Sequence, residues 1–61
     1  MPNLTSKELT ALEDLLNNEM LAIKKSQAFA AQFTDPVLKS KCEQIANTHQ
    51  QHYQKLLKFL G

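Results

Sequence analysis

With 61 residues, 43% of them apolar, the chain suffices for one small domain but is too short to seal a large core. Cys42 is its single cysteine, so no intramolecular disulfide can staple it, which leaves self-association or a metal as the usual supports. Seven basic residues, all lysine and spread along the chain, stand against six acidic ones; without arginine or a basic cluster, nucleic-acid binding is not expected.

Met1 to Leu4 reads as a short lead-in. No basic region followed by an apolar core is visible there, so no secretory signal is expected, and apolar runs of four residues or fewer provide no transmembrane span. The expected address is the cytoplasm, and the Asn3-Leu4-Thr5 sequon is read as chance.

Thr5-Ser6-Lys7-Glu8 has the spacing of a capping box, in which the Thr5 hydroxyl accepts from the Glu8 amide and Glu8 reaches back. Leu4 and Leu9 flank it as a hydrophobic staple would. Apolar residues then recur at Leu9, Leu12, Leu16, Ile23, Ala30 and Phe33, with Glu19 and Ser26 filling the intervening places on the seam. Leu15, Ala22 and Phe29 widen this stripe on one side and Met20 on the other. The pattern predicts one long helix over about residues 5–33.

Thr34-Asp35-Pro36 interrupts the pattern. Proline disfavours helical geometry at Asp35 but suits the first position of a new helix, with Asp35 as its N-cap. So tight a connection at 34–35 makes the flanking helices antiparallel neighbours. The second helix, over about residues 36–60, carries Leu38, Cys42, Ile45, His49, His52, Leu56 and Phe59 in steps of four and three. Gly61 follows as a stop signal. The expected fold is all-α: a single domain, 1–61, made of an antiparallel two-helix hairpin.

Three ionisable groups stand on these apolar seams: Glu19, His49 and His52. Folding at 34–35 makes facing residues sum to about 69 for equal helical rise. Leu16 then faces Tyr53, Ile23 faces Ala46, and Ala30 faces Lys39. Glu19 lands opposite Gln50, between the two histidines. Burying a carboxylate there is costly unless it finds a hydrogen bond or a metal. Two readings stand side by side: a polar contact that only sets register, or a metal site with Glu19, His49 and His52 as ligands. Glu43 falls on the solvated face and is a weaker candidate. Cys42 reads as a buried, inert thiol, and Met20, Phe29, Phe33 and Phe59 as core packing. Tyr53 reads as a packed ring. Nucleophilic catalysis has no support, because no serine adjoins either histidine and no glycine-rich loop exists.

The long helix carrying Glu19, the loop Thr34-Asp35-Pro36-Val37-Leu38 and the helix carrying His49-Gln50-Gln51-His52-Tyr53 resemble the short, ferritin-like spore-coat proteins of the coat F type. The resemblance spans nearly the whole chain. It implies half of a ferritin-like bundle, which dimerises into a four-helix bundle. It implies a role in sporulation too: a non-enzymatic structural protein of the spore coat, with itself and other coat proteins as partners. In metal-binding ferritin-like proteins a Glu on one helix joins a Glu-x-x-His pair on the next. Glu19 and His52 match that pattern, whereas His49 stands where the second glutamate would be. Such an imidazole-rich set suits zinc, copper or nickel at least as well as iron. The alternative reading is therefore a ferritin-like metal-binding protein, with metal-dependent oxidoreductase chemistry left open.

Overall fold

The computed structural model describes residues 4–61, so the lead-in before Leu4 and the sequon's Asn3 lie outside the described residues. The capping box forms as its spacing demands. The Glu8 amide donates to Thr5 Oγ1 at 3.1 Å, and the Thr5 amide donates to Glu8 Oε1 at 3.0 Å. The Thr5 amide first, and the Thr5 hydroxyl after it, hold the Glu8 carboxyl below its ordinary value. Helix α1 follows over Ser6–Gln32, about 40 Å of helix at the standard rise.

Phe33 leaves the helix with extended backbone, and Asp35 opens the second one. Its carboxylate accepts from the amides of Val37 at 2.8 Å and Leu38 at 3.3 Å, while Pro36, which has no N–H to satisfy, takes the first helical place. Helix α2 spans Pro36–Leu57. It tightens into a 3₁₀ turn over Lys58–Leu60, so the α-helix ends three residues before the predicted boundary. Gly61 closes the turn with φ of 133°, a backbone geometry that suits a residue without a Cβ.

The two helices pack along each other as an antiparallel hairpin, all-α and without strands among the described residues. Leu12, Leu16, Ile23 and Ala30 of α1 and Ala46 of α2 form the core. Their spacing is the steps of four and seven that keep residues on one helical face. Ala30 and Lys39 line one hollow between the helices, as the predicted register requires.

Two helices cannot enclose a volume, and this core shows it: no side chain among the described residues is fully sealed from solvent. Leu9, Leu38, Ile45, Phe29 and Phe59, all placed on the apolar stripes by their spacing, stay exposed. Cys42 is half-buried, not buried as its position on the seam suggested. One neighbour covers only the centre of a wide stripe and leaves its flank in water.

Candidate functional site

Glu19 is the middle residue of α1, with thirteen residues of the helix on either side. On α2, His49 and His52 stand three positions apart and thus on one side of the helix. The hairpin brings all three together. Glu19 Oε2 lies 2.6 Å from His49 Nδ1, and Glu19 Oε1 lies 3.5 Å from His52 Nδ1, so each carboxylate oxygen serves one imidazole. The first distance is a short hydrogen bond; the second is a contact outside hydrogen-bond geometry. The rings meet edge to face, 5.8 Å between centroids at 90°.

Exposure grades across the cluster. The side chain of Glu19 is 20% exposed, that of His49 32% and that of His52 50%, so the site is rooted in the hairpin and opens outward past His52. No buried side-chain polar atom lacks a partner among the described residues. The contact therefore satisfies the carboxylate that the apolar seam would otherwise penalise.

One ligand atom from each of the three residues lies within 4.8 Å of the others. A tetrahedral zinc ion with bonds of about 2.0–2.1 Å holds its ligand atoms about 3.4 Å apart, so the cluster would have to contract to grip one. The two nitrogens and one oxygen suit zinc, copper or nickel, and leave coordination positions for others to fill. The three residues singled out from the sequence are the three brought together. Glu43 instead lines a hollow with Gln27 and Lys39 beyond the packed seam. Tyr53, about 100° round α2 from His52, is half-buried outside the cluster.

No helix among the described residues is long and apolar enough to cross a membrane. No family model and no solved structure matches the sequence significantly. The chain is similar to a Bacillus subtilis (strain 168) protein named "Uncharacterized protein YuzM", with 37% identity over 57 residues, 93% of this chain and 70% of the relative. Identity of that extent along nearly the whole hairpin places this chain in the same family as YuzM.

Proposed function

We propose that the hairpin is a non-enzymatic structural protein that assembles with itself through its amphipathic helices, two hairpins forming a four-helix bundle. The observation that carries this reading is surface. The chain exposes 4807 Å², about 800 Å² more than the ~4000 Å² of a compact monomer of this mass. A standard protein interface takes about 800 Å² from each partner, an area of the size that a second hairpin laid along the exposed apolar flank of Leu38, Ile45 and Phe59 would bury. The resemblance to short spore-coat proteins supports a setting for that assembly, with other coat proteins as further partners. Thermal unfolding across a hundredfold range of protein concentration tests it, because a coupled dimer melts higher as concentration rises. A midpoint that does not move with concentration overturns the reading.

The cluster favours a second reading, in which the protein binds a transition metal through Glu19, His49 and His52. Its support is the convergence of one carboxylate and two imidazoles within 4.8 Å. Elemental analysis of dialysed protein, compared between the wild type and His49→Ala, separates a metal site from a contact that only sets register.

A further inference from the structure

The two broad sides of the hairpin differ. Gln27 and Phe29 flank the buried Ala30 on opposite sides of α1, because positions two apart stand about 160° round a helix. Glu43 and Ile45 flank the buried Ala46 of α2 in the same way. Gln27 and Glu43 line one hollow together with Lys39. Phe29 and Ile45 therefore share the other side. Leu15 and Leu38 join them there, since they precede Phe29 and Ile45 by whole heptads, and all four side chains are exposed.

Charge divides along the same line. Lys25 and Lys41 stand four residues before Phe29 and Ile45, on the rim turned away from the core. Lys41 and Ile45 line one trough. Lys55 repeats the place of Lys41 two heptads later, four residues before the exposed Phe59. All three lysines are exposed. Glu43 and, two heptads before Gln27, Glu13 fall on the opposite side. Glu19 is held in the seam by His49 and His52, and Glu8 and Asp14 stand near the start of α1. The apolar side is thus also the basic side. Two copies laid face to face bring like-charged rims together, whereas an anionic surface neutralises them.

We propose that this side docks on an anionic lipid surface, where a single hairpin lies flat. The apolar rows enter the boundary between head groups and acyl chains, and Lys25, Lys41 and Lys55 meet the phosphates. Lysine suits that rim because its stem covers apolar surface while its ammonium stays at head-group level. The hairpin measures 46 × 15 × 10 Å, so its broad side can lie along a bilayer that neither helix is apolar enough to cross. The proposal goes beyond self-association, which uses the same side: lipid and a second copy compete for it.

The test mixes the protein with vesicles of phosphatidylcholine alone, and of phosphatidylcholine and phosphatidylglycerol in equal parts. Bound protein is read by flotation. Expected is binding to the anionic vesicles only, weakened by salt and by protein concentrations at which the dimer forms. Lys25→Gln, Lys41→Gln and Lys55→Gln combined, all at exposed helical positions that glutamine tolerates, lower the affinity by on the order of a hundredfold, about fivefold per lysine. Sedimentation of that variant shows a dimer at least as tight as the wild type's. Equal binding to neutral and anionic vesicles, or equal binding by variant and wild type, overturns the proposal. A wild type that dimerises and ignores both vesicles overturns it as well and leaves self-association standing. A wild type that binds anionic vesicles yet stays monomeric in solution upholds it and overturns self-association.

Discussion

Glu19 and His49, thirty residues apart in the chain, meet at 2.6 Å across the hairpin through the carboxylate Oε2 and the ring Nδ1. Among the described residues this is the one side-chain hydrogen bond that joins the two helices, and it sits amid apolar contacts that any sliding of the helices would carry with them. A helix slip by one residue turns the carboxylate about 100° away from its partner. The bond therefore opposes misregister whether or not a cation is present.

A double-mutant cycle over Glu19→Gln and His49→Ala should give a coupling energy of about 1–2 kcal/mol, as for a partly wet hydrogen bond to a carboxylate. Chemical denaturation of the four proteins measures it. A coupling near zero would reduce the contact to a geometric coincidence.

Asp35→Ala removes the cap that serves both Val37 and Leu38. The expected cost is about 1 kcal/mol, a fall of about 4–8 °C in Tm for a domain of this size. Asp35→Ser, which restores a capping oxygen, should recover most of the loss.

Ile23→Ala removes the bulk of one of the few buried side chains of the core. Removing such a side chain costs about 2–5 kcal/mol, a large share of the stability of any small domain. Lys24→Ala, on the neighbouring exposed position, should stay within about 0.5 kcal/mol. Equal effects of the two would mean that the hairpin packs through a different face.

Acid should weaken the start of α1. The Glu8 carboxyl titrates lower in the folded hairpin than in the unfolded chain, because Thr5 donates to its charged form. Its stabilisation is thus complete above the unfolded carboxyl's pKa and lost as pH falls through the folded one. Glu8→Gln keeps an acceptor for the Thr5 amide but cannot titrate, so it should show a shallower acid dependence of stability. Unfolding midpoints between neutral and strongly acidic pH would reveal an unchanged slope if the capping box plays no part.

Much of this molecule is legible from spacing alone. Thr5, Glu8, Asp35 and Pro36 mark their helix starts because capping chemistry is local, needing only residues two or three apart. The meeting of Glu19 with His49 and His52 follows from equal helical rise about a tight turn, which is why facing positions summing to about 69 fall between the two observed pairs. What spacing does not separate is the covered middle of an apolar stripe from its exposed flank. Leu38, Cys42 and Ile45 follow one run of steps with Ala46 beside it, yet the placement of the neighbouring helix leaves Leu38 and Ile45 exposed, Cys42 half-buried and Ala46 buried. The end of α2 at Leu57 was equally hidden, since the last turn tightens without any proline to signal it.

Sedimentation equilibrium of the wild type and of Ile45→Glu, a charge placed on the exposed apolar flank, tests self-association most directly. A wild-type mass of twice the 6.9 kDa chain is expected, and a single-chain mass for the variant. A folded wild type holding at 6.9 kDa at every concentration would contradict it, because the apolar face would then need no second hairpin.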